Sequence, residues 1–187
     1  EIERVHGHQR LDEATLNRKL KELDTEARTL TTELSRLEER ITQRAGTPVT
    51  AGSTRSQELD ALNGAAAALR EQQTGIRRLA AAWRGRFDFL AGNQTLDARR
   101  ALAATLSDAL DQVATEQRNA ADRQALLRIA LRSRSGEPPA GAARADEQRL
   151  LEAQQLKLDA LQRLEETLRL SEVLFSRMRA DLALDQR

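Results

Sequence analysis

The chain has 187 residues, of which 30 are Lys or Arg and 29 are Asp or Glu, with three Phe, one Trp and no cysteine. A charge balance this close argues against nucleic acid as a partner, since neutralising phosphates needs a basic excess. The missing cysteines exclude disulfides, thiolate metal sites and a cysteine nucleophile. About a third charged and 2% aromatic is the profile of long helices whose narrow Leu/Ala seams replace a thick core. No uninterrupted apolar run approaches the roughly 18 residues of a membrane span. Because the chain opens on Glu1 rather than Met, it is expected to be part of something longer.

The expected fold is all-α: an elongated antiparallel four-helix bundle or two paired coiled-coil hairpins, in one domain over 1–187. Helices are expected at about 1–43, 56–91, 95–134 and 146–185, with loops at 44–55, 92–94 and 135–145. In the first helix Leu16, Leu20, Leu23, Ala27, Leu30, Leu34, Leu37 and Ile41 alternate in steps of four and three, the period of a helix facing another helix. Gly46, Pro48, Gly52 and Ser53 break the period, and Ser56 is the expected cap of the second helix.

The second helix carries Leu59, Leu62, Ala66, Leu69, Gln73, Ile76, Ala80, Trp83, Phe87 and Leu90 on one seam, with alanine runs that let a neighbouring backbone come close. Gly75 is expected to mark a bend. Thr95 caps the third helix, whose seam runs Leu96, Arg99, Ala103, Leu106, Leu110, Val113, Gln117, Ala120, Gln124, Leu127 and Leu131. Gly136, Pro138 and Pro139 end it. The last helix shows two stripes: Leu161, Leu164, Leu168, Ser171, Phe175, Met178 and Leu182, and beside them Leu156, Ala160, Leu170 and Leu174. Two stripes mean two neighbours, which favours a bundle.

Chemistry is scarce in this pattern. Glu3 and His6 match the Glu-x-x-His spacing of di-iron bundles, but such a site needs a second copy and two further carboxylates. His8 does not share the face of His6, so a solvated terminal turn is the simpler reading, and no metal, cofactor or catalytic residue is expected. The polar seam positions Gln73, Arg99, Gln117, Gln124 and Ser171 set register or meet water, with a ligand cavity as the alternative. Arg70, Arg77 and Arg84, seven apart, read as a solvated face.

Trp83-Arg84-Gly85-Arg86-Phe87-Asp88-Phe89-Leu90 leads into the break at Gly92 and Asn93, where the chain folds back. If the second and third helices pair about Asn93, Trp83 faces Ala103, Ala80 faces Leu106 and Phe87 faces Arg99. Phe89, two beyond Phe87, is expected to point outward while Trp83, Phe87 and Leu90 point into the seam. With Arg84, Arg86, Arg99 and Arg100 around it, Phe89 makes a candidate interaction tip for an acidic protein surface or anionic headgroups. The simpler reading folds Phe89 back over Leu96 to close the turn.

The segment from Trp83 to Phe87, followed by Gly92, a Leu-spaced helix and a further Gln/Leu/Arg-rich helix, resembles the extended periplasmic helical region of large bacterial mechanosensitive channels of the MscS type. The resemblance covers the second half of the chain and carries over no catalytic residue. It implies a non-enzymatic extramembrane module of a membrane protein in the periplasm or cell envelope. Its partners would be other segments or subunits of that protein, including copies of itself. Two other readings stand beside it: a ligand-sensing periplasmic four-helix domain of a chemoreceptor or sensor kinase, and a coiled-coil hairpin of an envelope adaptor.

Overall fold

The computed structural model describes residues 11–46, 50, 52–92, 95–133 and 142–185. Among them stand four helices: α1 (Glu13–Ala45), α2 (Thr54–Leu90), α3 (Leu96–Ser133) and α4 (Ala142–Asp185). At 33 to 44 residues each, they are about 50 to 66 Å long. Residues 1–10, where Glu3, His6 and His8 were read, lie outside the described residues.

Local chemistry sets the helix ends. Asp12 caps α1 by accepting from the Thr15 backbone N–H at 2.6 Å, and Thr95 caps α3 by accepting from Ala98 N–H at 3.3 Å. The expected cap at Ser56 is corrected: Ser53 takes that place and accepts from the Ser56 N–H at 3.2 Å, so α2 starts two residues earlier. Gly52 precedes it with a φ of 77°, a turn conformation that favours glycine. The α4 helix begins at Ala142, before the expected start. Gly92, at a φ of 72°, ends α2 and donates to Phe89 O.

The four helices form one bundle in which α2 packs along α1 and α4, and α4 packs along α2 and α3. Consecutive helices are antiparallel. Thr31 meets Gln73 and Arg44 meets Glu58 between α1 and α2, while Gln124 meets Glu165 and Gln117 meets Glu172 between α3 and α4. The central pair is parallel. Gly64 lies against Lys157, Gly75 against Thr167 and Gly85 against Met178, so both chains advance together.

Small residues permit that central contact. One row of α2 consists of Glu58, Ala61, Ala65, Ala68, Gln72, Gly75, Leu79, Ala82 and Phe89, and all nine are buried. Their spacing is a heptad period, separate from the Leu62–Leu69–Ile76 seam that faces α1. The opposing row of α4 holds Leu150, Ala153, Ala160, Leu164, Thr167, Ser171, Leu174 and Met178, again all buried. A Cβ added at Gly75 would lie 2.9 Å from Thr167 Cγ2, so its hydrogen is what admits α4 there. The second stripe expected on α4 is therefore corrected: Leu156 and Leu170 face outward at 36% and 55% exposure, while Ala160 and Leu174 are buried.

Around this pair, α1 and α3 occupy opposite sides. On α2, Leu62, Leu69 and Ile76 turn to α1, while Glu71 and Arg78, half a turn round the helix, pair with Arg123 and Glu116 of α3. The expected α2–α3 register is overturned at mid-length. It would set Arg78 opposite Asp108, yet Arg78 pairs with Glu116, about two turns further along. Because α4 sits between α2 and α3, long charged side chains span the gap in place of a shared apolar seam.

Candidate interaction surface

The start of α1, the α2–α3 turn and the end of α4 lie at one end of the bundle. Arg86 of α2 donates to Asp181 of α4 at 2.9 Å, with both side chains mostly buried, which fixes α4 beside the last turn of α2. The expected tip residues are distributed differently from the sequence reading. Phe89 is buried, at 7% exposure, and packs with Phe175, Met178 and Leu182 in the lower core. Its outward orientation is thereby corrected, as is its closure over Leu96, which stands 63% exposed.

The cause is the second seam of α2. Position 89 belongs to the row facing α4, and with a partner there it turns inward. Trp83 and Phe87 are half-buried, and Leu90 is 41% exposed. Arg99, expected opposite Phe87, instead makes a cation–π contact with Phe89, its guanidinium carbon 5.4 Å from the ring centroid. Of the four arginines named at the tip, Arg86 and Arg99 are thus engaged within the bundle. Arg84 and Arg100 are exposed, and Arg100 reaches Asp97 at 3.8 Å.

Three further arginines belong to this end and were missed. By the interhelical registers, Arg18 of α1 and Arg177 of α4 fall near the height of Arg84, with Arg179 beside them, and all are exposed. Only the register could have found them, since nothing local links position 18 to position 177.

Away from the turn, α2 and α3 border a groove of about 640 Å³, floored by Leu164 and spanned by the Arg78–Glu116 and Arg123–Glu71 pairs. The hydrogen bond from Arg123 to Glu71 raises the guanidinium pKa further above its ordinary value. The expected polar seam residues do not line this groove. Gln73 donates to Thr31, Gln117 to Glu172, Gln124 to Glu165 and the Leu161 carbonyl, and Ser171 to the Thr167 carbonyl. Each is satisfied by a neighbouring helix or by its own.

At the opposite end the buried carboxylate of Glu58, 2% exposed, is held by Arg44 at 3.1 Å, with Arg40 at 3.8 Å. Arg40 also reaches Glu152, so this cluster ties α1, α2 and α4. Among the described residues no group of three or more His, Cys, Asp or Glu is placed to hold a metal ion. No described helix is long and apolar enough to cross a membrane. Comparison with protein-family models, with curated proteins and with solved structures finds no match to this chain.

Proposed function

We propose that the chain is a non-enzymatic helical module of a bacterial membrane protein, held outside the membrane in the periplasm or envelope. Its task would be to position other segments or subunits of that protein, as its resemblance to the extended region of large MscS-type channels implies. One observation carries the reading: the start of α1, the α2–α3 turn and the end of α4 share one end, while the end of α1, the start of α2, the end of α3 and the start of α4 share the other. A bundle so connected can stand on one end and project the other some 50 Å or more away.

A second reading has an observation of its own. The groove floored by Leu164, with polar walls from Thr74, Asn119 and Asp122, suits a small polar ligand of a sensor domain. The envelope-adaptor hairpin finds less support, because α2 packs along α4 and α1 rather than pairing with α3 as a free hairpin.

A direct test uses one introduced thiol, since these 187 residues hold no cysteine and any outside them can be replaced first. Glu166, exposed on α4, is replaced by Cys in the full-length protein, and cells are treated with a membrane-impermeant maleimide after the outer membrane is opened. Labelling before lysis of the inner membrane, in the membrane fraction, is expected. Labelling only after that lysis would place the module on the cytoplasmic side and overturn the reading.

A further inference from the structure

The same residues return in the chain about 90 positions apart. Ala14-Thr15-Leu16 comes back as Ala104-Thr105-Leu106, Thr25-Glu26 with Arg28 as Thr115-Glu116 with Arg118, and Arg44, Gly46 and Pro48 as Arg134, Gly136 and Pro138. Burial repeats with them. At this spacing the four buried positions of α1, Leu16, Leu30, Leu34 and Leu37, fall on Leu106, Ala120, Gln124 and Leu127, all buried in α3. Between α2 and α4 the spacing is 92, the two extra residues lying in the α3–α4 connection. Eleven of the thirteen buried positions of α2 then land on buried positions of α4, among them Ala61 on Ala153, Ala68 on Ala160 and Gly75 on Thr167. A slip of one residue would turn either match by about 100° round the helix. We infer that the chain is one helical hairpin present twice, and that the face of α2 receiving α4 is a docking surface for a second copy of the same hairpin.

The packing has the symmetry that such a pair requires. In a two-fold contact both members use the same patch, and a residue near the axis meets its own counterpart. Gly75 lies against Thr167, its counterpart, while Gly64 and Gly85 lie against Lys157 and Met178, each one residue past theirs. Because α2 and α4 are parallel, this axis runs along the bundle and sets α1 and α3 on opposite sides of it. The ion pairs that cross between the hairpins obey it too. Arg123 of α3 meets Glu71 of α2 at 2.6 Å, and the counterpart positions, Glu33 of α1 and Arg163 of α4, meet at 2.8 Å with the charges exchanged. A stack of repeats buries a different face of each unit against each neighbour. Here both hairpins use the same row, so the contact closes at two. Where the copies differ in that row, the change is complementary: glycine at 75 stands against threonine at 167, and leucine at 79 has serine at 171 as its counterpart.

The test is to let one hairpin stand in for the other within the full chain. Residues 106–131 are replaced by the sequence of 16–41, and residues 150–182 by that of 58–90, which keeps the length and every connection. A monomer with the native scattering profile and one cooperative melt is expected. The reverse chimaera, with two copies of the second hairpin, should also fold but melt lower, because two threonines then meet where glycine met threonine. A control carries the sequence of 56–88 at 150–182, a slip of two residues that turns the row about 200° from its partner. It should lose the cooperative melt. A milder variant guards against chimaeras that fail on packing detail. Gly75→Thr combined with Thr167→Gly exchanges two counterparts across the axis and should melt within about 4 °C of the native chain, whereas Gly75→Thr alone should fall further. An exchange whose loss equals the sum of the two single losses overturns the inference, as does a slipped control that folds as well as the registered chimaera, or failure of both chimaeras. None of these outcomes depends on the compartment, which cysteine labelling at position 166 decides on its own.

Discussion

The central pair and the flanking pair are built on different terms. The α2 and α4 helices are covered on two sides and bury small residues such as Ala61, Ala68, Ala153 and Ala160, while α1 and α3 bury a single narrow row each. Leucine lines the flanks because one row must fill a groove. Between Ala61 and Gly75 the α2 side of the centre is lined by alanine and glycine, because two backbones approach closely there. Burial in a thin bundle is thus decided by how many neighbours a helix has, more than by how apolar its sequence is.

The largest expected effect should come from the centre. Leu161→Ala, at a fully buried position, is expected to cost about 2 to 5 kcal/mol, against the lower end of that range for Leu127→Ala at the rim of α3. Chemical denaturation of both variants checks this; equal losses would erase the distinction between centre and flank. Next comes the tie between them. Glu58→Ala strands the Arg44 guanidinium and should cost about 2 to 3 kcal/mol, because both arginines keep part of their water. Arg70→Ala, which removes an exposed pair with Glu38, should change stability by less than about 1 kcal/mol.

Two glycines sharpen the comparison further. Gly75→Ala pushes a methyl against Thr167 Cγ2 and should lose about 1 to 2 kcal/mol despite its better helix propensity. Thr167→Ala in that background should recover most of the loss. At Gly64 the obstructing atoms are the far end of the Lys157 side chain, which can swing aside. Gly64→Ala should therefore gain about 0.5 to 1 kcal/mol. Thermal melts of the three variants test the signs; a stabilised Gly75→Ala would refute the close approach.

The smallest effect lies at the α1 terminus. The side-chain and backbone hydrogen bonds of Thr15 hold the Asp12 carboxyl below its ordinary pKa. A depressed folded pKa contributes stability above the unfolded value, and that contribution is lost as pH falls through the folded one. Faster amide exchange at Thr15 in that acidic window, absent at neutral pH, is the expected sign. Asp12→Asn should remove the pH dependence while keeping a cap.

The seams of α1 and α3 were legible because leucine at heptad spacing is conspicuous; Leu30, Leu34, Leu37, Leu106, Val113 and Leu127 are buried as their period implies. The central row of α2 was not. Glu58, Gln72 and Gly75 carry no apolar signal, and the alanines between them read as mere lack of bulk, so α2 was assigned one face instead of two. The error at Phe89 follows from that omission, as does the misplaced register, since both took α3 as the main neighbour of α2. On α4 two faces were recognised, Ser171 among the first, but Leu156 and Leu170 drew the second one about a quarter-turn off and Thr167 was missed. Polar residues small enough to sit between close helices are invisible to a hydrophobic period. At the turn end, the arginines of α2 and α3 could be read from the sequence, whereas placing Arg18 and Arg177 there depends on interhelical register.

The parallel central pair also dictates an order of events. Residues that meet across it, such as Gly75 and Thr167, are separated by about half the chain, so the principal interface cannot close until the last helix has been synthesised. Until then an α1–α2 segment leaves its alanine-rich face uncovered, and α3 lacks the α4 surface it packs along. The first three helices should emerge from the ribosome as loosely associated, protease-sensitive chains, and α4 should bring them together in a single late step.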